Sequence, residues 1–167
     1  GAGRRDVDRR RLRVRTTQEI ADTLVRLHDG ARNHSIDMPQ PIDCEAADLP
    51  VAPYTFGAWL GDGHSACAKI TCHRDDREII EGIEADGWPV RFASNNGSAA
   101  NTYSISDGDR TQSARNESLA SKLRQMGVLN NKHIPDAYCR GSFAQRLALL
   151  QGLMDTDGSI SKNGRVL

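Results

Sequence analysis

Apolar positions along the chain fall into short periodic stretches separated by glycine, proline and aspartate. Thr16-Thr17-Gln18-Glu19 opens a stretch with Ile20, Leu24 and Leu27, which predicts a short amphipathic helix begun by a capping box and ending near Gly30. Pro39, Pro41, Pro50 and Pro53 interrupt residues 33–53, which read as an extended connector. Tyr54 to Leu60 is apolar almost all round and stops at Gly61-Asp62-Gly63, the pattern of a short buried helix with a glycine terminus. Residues 66–73 then alternate. Ala66, Ala68, Ile70 and Cys72 define a dry side, and Cys67, Lys69, Thr71 and His73 a polar one, as in a half-buried strand.

Asp75, with Glu78 three residues on, predicts a second capping box for a helix carrying Ile79, Ile80 and Ile83 and ending at Gly87. Val90 and Phe92 are expected to face the core from a second strand, with Arg91 turned the other way. Asn95-Asn96-Gly97 marks a turn, and Thr102–Ser106 a third strand with Tyr103 and Ile105 inward. Glu117–Val128 is predicted helical through Leu119, Leu123 and Met126. Phe143–Met154 forms a last apolar helix, stopped by Asp155-Thr156-Asp157-Gly158. Ser159 onward reads as the start of a strand, and Gly63–Ser65 leaves room for a short extra one. Trp59 and Phe143 are expected in the core. The order implies an α+β fold: an antiparallel sheet covered by helices on one face, its polar face free to hold a ligand.

Composition narrows the class. With 167 residues, 38% of them hydrophobic, the chain can build one domain with a real core, so wholesale disorder is excluded. No run approaches the ~18 apolar residues of a membrane span, and no leader pattern opens the chain. A cytoplasmic protein with no membrane partner is expected. Cys44, Cys67, Cys72 and Cys139 are too scattered for a disulfide scaffold, and the Cys67–Cys72 spacing is not that of a zinc knuckle. They read as reduced thiols.

Charge changes the picture more. Lys+Arg and Asp+Glu both total 22, yet the charges are segregated. Residues 1–16 hold seven arginines against Asp6 and Asp8, whereas residues 35–62 hold five acids and no Lys or Arg. Residues 113–146 are basic again. Such asymmetry suits a polyanion on one surface with metal-holding acids elsewhere. A solvated, flexible end is the other account of Arg9–Arg11.

The sharpest feature is a repeat. Phe56-Gly57-Ala58-Trp59-Leu60-Gly61-Asp62-Gly63 and Leu150-Gln151-Gly152-Leu153-Met154-Asp155-Thr156-Asp157-Gly158 share a glycine, a small residue four later, and Asp-Gly. Small residues at i and i+4 form a flat stripe, so two such helices can approach backbone to backbone. Side-by-side packing brings Asp62 and Asp157 together at two helix C-termini. The negative ends of both dipoles then add to the carboxylates, which suits a hard divalent cation such as Mg²⁺.

These residues resemble the LAGLIDADG homing endonucleases, most closely those of inteins inserted in bacterial replicative DNA helicases. Trp59-Leu60-Gly61-Asp62-Gly63 is similar to the family's first motif, and residues 149–158 to its second. Asn131-Lys132-His133-Ile134-Pro135 is similar to the lysine block between them. The resemblance implies αββαββα halves, with double-stranded DNA on the polar sheet faces. It implies Asp62 and Asp157 as catalytic carboxylates holding Mg²⁺ or Mn²⁺, with the carbonyls of Gly61 and Thr156 as further ligands. Lys132 is implied to polarise the attacking water or steady the scissile phosphate. Lys69, Thr71, His73 and Arg91, with Thr102 and Ser104, are expected over a DNA groove. His64 reads as an exposed turn residue.

The expected organisation is a basic lead-in and proline-rich connector over residues 1–50, a first half over 51–138 and the start of a second half over 139–167. The remaining half is expected from another chain or segment, with the host helicase as flanking sequence. No Cys or Ser nucleophile stands at residue 1, and no Thr-x-x-His block or terminal His-Asn is present, so splicing by this chain alone is not expected. A non-cleaving DNA-binding module and an inactive intein remnant are the alternatives.

Overall fold

The computed structural model describes residues 14–35, 39–95, 97–106, 111 and 116–158. The chain divides into two compact units, Gly1–Gln40 and Pro41–Leu167, so the boundary falls inside the proline-rich connector. In the first unit, helix α1 spans Thr17–Asp22 and carries the capping box read from the sequence. Glu19 N donates to the Thr16 hydroxyl at 3.2 Å, and Thr16 N donates to the Glu19 carboxylate at 2.8 Å. The helix does not run on to Gly30. It buries no residue, so little beyond its cap sustains it. Thr23 leaves the helix with its hydroxyl on the Glu19 carbonyl, and Val25 pairs with Arg32 in an isolated bridge.

The second unit is α+β. Its elements are α2 (Pro53–Asp62), β1 (Lys69–His73), α3 (Arg77–Ala85), β2 (Val90–Asn95), β3 (Ala100–Ile105), α4 (Leu119–Gln125), α5 (Asp136–Cys139) and α6 (Phe143–Asp157). The strands form an antiparallel sheet in the order β1-β3-β2. Ile70 and Cys72 of β1 and Ile105 of β3 face a core completed by Phe56, Trp59, Ile79, Ile83, Leu119, Leu123 and Tyr138 from the helices. The Phe56 ring lies 4.5 Å from Tyr138 and 6.2 Å from Trp59.

Two devices absent from the sequence reading hold α2 in place. Its N-cap, Ala52, offers no side chain. Asp86, beyond the end of α3, fills that role: its carboxylate accepts from Thr55 N at 3.0 Å and from the Thr55 hydroxyl at 2.7 Å. Thr55 is thereby fully buried with its polar groups satisfied. Tyr138 of the unforeseen helix α5 donates its hydroxyl to the Val51 carbonyl at 2.8 Å and accepts from Val51 N at 3.2 Å. Burial pushes that phenol up to about 12.

Several expected details differ. The strand read over 66–73 starts at Lys69, and Ala66 is exposed. Gly63 makes a single bridge to Ile70 rather than a strand. Asp75 and Glu78 form no capping box: the N-cap is Asp76, without a side-chain bond. The helix read over 117–128 has its continuous turns at Leu119–Gln125, and Gly87 and Gly127 follow α3 and α4 at positive φ as chain reversals require. Both apolar motif helices end within their expected stop segments, at Asp62 and Asp157, with Gly63 and Gly158 as the C-caps. Phe92 shares a row with Tyr103 and Ile70 but is 62% exposed, because α2 packs over β1, at the opposite edge of the sheet; the β2 register shifts between Phe92 and Ser94. Phe143, at the first turn of α6, is 49% exposed. The strand read from Ser159, the turn residue Asn96 and Arg9–Arg11 lie outside the described residues.

Candidate active site

Helices α2 and α6 pack backbone to backbone through the repeated glycines. A Cβ on Gly57 would run into the Leu149 carbonyl and lie 3.0 Å from Leu153 N. One on Gly152 would meet the Tyr54 carbonyl and stand 2.7 Å from Ala58 N. At the C-terminal end a Cβ on Gly61 would strike the Thr156 side chain and stand 3.4 Å from the Asp157 carboxyl carbon. Only glycine permits this approach, since each neighbour is backbone or a fixed side chain. Tyr54 reinforces the pair by donating its hydroxyl to Asp155 at 2.8 Å. Burial, then that bond, raises its phenol above the ordinary tyrosine value.

The consequence is that Asp62 and Asp157, each the last residue of its helix, stand at one junction. Desolvation and the neighbouring Asp157 charge raise the Asp62 carboxyl above its ordinary value, while Lys132 acts in the opposite sense. Gly63, the next residue, is extended (φ −73°, ψ 149°) rather than left-handed, so a conformational need does not explain the glycine. Space does: a Cβ there would press on the Trp59 indole, 2.7 Å from its Cγ.

Lys132 reaches this junction from the turn before α5. Its Nζ donates to the carbonyls of Leu60 at 2.9 Å, Gly61 at 3.1 Å and Gly63 at 2.6 Å. It also lies 5.2 Å from the centre of the Trp59 ring. Burial lowers the ammonium's pKa, and the charges of Asp157 and Asp62 work against that shift. The Gly61 carbonyl, an expected metal ligand, therefore already accepts a bond. Thr156 lies in the last turn of α6, its hydroxyl turned back on the Gly152 and Leu153 carbonyls at 3.0 and 3.1 Å.

Among the described residues, no three His, Cys, Asp or Glu side chains gather as a metal-holding group. Two carboxylates remain a suitable donor set for a hard ion. Mg²⁺ keeps several waters and is commonly held by one or two carboxylates together with phosphate oxygens of a substrate. The like charges at the junction favour a cation there.

The polar sheet face also forms as expected. Lys69 and Arg91 both pair with Ser104, so the three lie in one row across β1, β3 and β2. Thr71, Thr102 and Ser94 make the next row. Thr71 bonds the exposed His64 Nε2 at 3.1 Å, and His73 Nδ1 accepts from Asp75 N at 3.3 Å. Residues missed from the sequence, Asp86, Tyr138 and Gln145, act across elements distant in the chain. Gln145 adds to its α6 capping box a donor to the Ala47 carbonyl at 2.7 Å and an acceptor for Ala47 N at 2.9 Å. The Ser-x-x-Gln spacing of Ser142 and Gln145 is the one local signal that marks any of them.

No helix among the described residues is long and apolar enough to cross a membrane. No family model matches the chain. Over 154 residues it is 42% identical to the replicative DNA helicase DnaB of Mycobacterium intracellulare, a match covering 92% of this chain and 22% of that protein. The chain thus spans about a fifth of the length of the curated relative to which it is similar.

Proposed function

We propose that the chain is the site-specific endonuclease domain of an intein, of LAGLIDADG type, within a replicative helicase, and that it hydrolyses DNA phosphodiesters with Mg²⁺ or Mn²⁺. The observation that carries this reading is the meeting of Asp62 and Asp157 at the joined C-termini of α2 and α6. Similarity to a segment of a replicative helicase supports the setting. Asp62 and Asp157 are the groups that hold the ion. When bound, such an ion supplies Lewis-acid stabilisation of the scissile phosphate and an acidified water. Lys69, Thr71, His73 and Arg91 lie along the DNA, the first and last contributing phosphate or base contacts. A second sheet, from another chain or segment, completes the groove over α6.

One observation favours a second reading, a non-cleaving DNA-binding module: the described residues contain one three-stranded sheet, short of the four strands of an αββαββα half and without the second sheet of a complete groove. The test is incubation of the purified chain with Mg²⁺ and a plasmid carrying an uninterrupted helicase sequence. Linear product from the wild type, lost in Asp62→Asn and Asp157→Asn, supports the endonuclease. Cutting that persists in both variants overturns it. Salt-dependent DNA binding without metal-dependent nicking selects the binding module.

A further inference from the structure

We infer that Lys132 is a positioning residue: by gripping the carbonyls of Leu60, Gly61 and Gly63, its ammonium fixes the backbone on both sides of Asp62. It thereby aims that carboxylate into the α2–α6 junction. This inference rests on the reading of Asp62 and Asp157 as a metal-holding pair. An ammonium has three N–H donors and no acceptor. All three are engaged, at 2.9, 3.1 and 2.6 Å. None is left to orient a water or a phosphate unless one of these bonds breaks.

The acceptors explain the arrangement. The end of a helix leaves its last carbonyls without intrahelical partners, and Leu60 and Gly61 lie in the last turn of α2. Lys132 satisfies both, together with the Gly63 carbonyl just past Asp62. Its own turn is anchored: Asn131 N donates to the Val128 carbonyl at 3.1 Å, and Asn130 N to the Ser65 carbonyl at 2.8 Å. The turn carrying Lys132 and the loop following Asp62 are thus stitched together at several points. The Trp59 ring backs the ammonium. The expectation that Lys132 handles water or phosphate requires a free donor, and the geometry gives it a structural task instead.

Charge and position make opposite predictions, which provides the test. Lys132→Met keeps a hydrophobic stem against Trp59 and removes the donors and the charge. Losing a cation beside two carboxylates should by itself tighten binding of a divalent ion. Losing the hold on Asp62 should weaken it. We expect Mn²⁺ affinity of the full chain, measured without DNA by electron paramagnetic resonance of the free ion, to fall about tenfold, as with other supporting partners of metal ligands. Amide exchange at Gly63 and His64, whose N–H groups bond the Trp59 and Lys69 carbonyls at 3.0 and 2.9 Å, should quicken in the absence of metal. Lys132→Arg is the second variant. Its planar guanidinium keeps the charge but cannot meet three carbonyls around one point, so Mn²⁺ affinity should fall again.

Unchanged or tighter Mn²⁺ binding in both variants, with exchange at Gly63 and His64 unmoved, overturns the inference. If the wild-type chain binds no Mn²⁺ even when duplex DNA is added to supply phosphate oxygens, the metal-dependent reading fails instead. The exchange data then decide the grip of Lys132 alone: quickened exchange supports it, and unmoved exchange overturns it.

Discussion

At the scale of single residues, Asp62 holds a negative charge that its surroundings oppose. Its carboxyl is raised by desolvation and by Asp157, and it ends a helix, where the dipole also disfavours negative charge. Over the interval between the two pKa values the folded chain therefore binds more protons than the unfolded one. Stability is at its full value below the ordinary carboxylate range, about pH 4, and declines as pH rises through the folded pKa of Asp62. Asp62→Asn removes that decline. In a chelating buffer the variant should match the wild type near pH 4 and exceed it at neutral pH, as read from urea midpoints across the range. A deficit of the variant at neutral pH would mean that the carboxylate is a net stabiliser, contrary to the charge balance derived above. The comparison is also a check on function. A residue whose neutral replacement stabilises the metal-free fold is retained for something other than folding.

At the scale of elements, the α2–α6 pair is the structural foundation of the site. Gly152→Ala places a methyl against the Tyr54 carbonyl and Ala58 N, and Gly57→Ala one against the Leu149 carbonyl. Backbone cannot rotate away as a side chain can, so each should cost about 1–3 kcal/mol, the range of overpacked cores. Thermal melting would show this as a drop of several degrees, and an unchanged melting temperature would mean that the helices are not in such contact. This junction was legible in the sequence because a small residue at i and i+4 followed by Asp-Gly is a local pattern with one geometric consequence. The core positions of Trp59, Ile70, Ile83 and Leu123 were legible for the same reason, through their periodicity. What escaped depended on partners remote in the chain. Asp86 caps α2 from 31 residues away. Tyr138 reaches Val51 across 87. Phe92 alternates correctly but stands at the edge of the sheet opposite the one that α2 covers, a fact of helix placement rather than of alternation. Of the two glycines flanking Asp62, Gly63 caps α2, whereas Gly61 stays helical and serves the close approach to Thr156. Lys132 was found by its sequence block, but its three carbonyl acceptors only emerge once α2 and its turn are brought together.

At the scale of the whole molecule, the two motif helices differ in what covers them. On α6, Leu149, Gly152 and Thr156 face α2, whereas Phe143, Leu147 and Leu150 recur at i, i+4 and i+7 on the opposite side. Leu147 and Leu150 are 40% and 52% exposed. By the repeat, Leu150 stands where Thr55 does in α2 and Met154 where Trp59 does, and both α2 positions are fully buried. The equivalent helical face is therefore packed on a core in one case and only partly covered in the other, with Leu150 exposed and Met154 half-buried. A regular apolar stripe on a helix is a surface built for burial. Leu147→Ser with Leu150→Ser should leave the chain's own stability within about 0.5 kcal/mol, as for exposed positions distant from special features. Sedimentation velocity supplies the decisive reading. The wild type should associate increasingly with concentration, and the double variant should remain monomeric over the same range. A wild type that stays monomeric throughout would show that the stripe does not drive association in water. A loss of stability in the variant would show that the two leucines already serve this chain's own core. Suppressed association at unchanged stability is the result expected where a second copy of the chain covers α6.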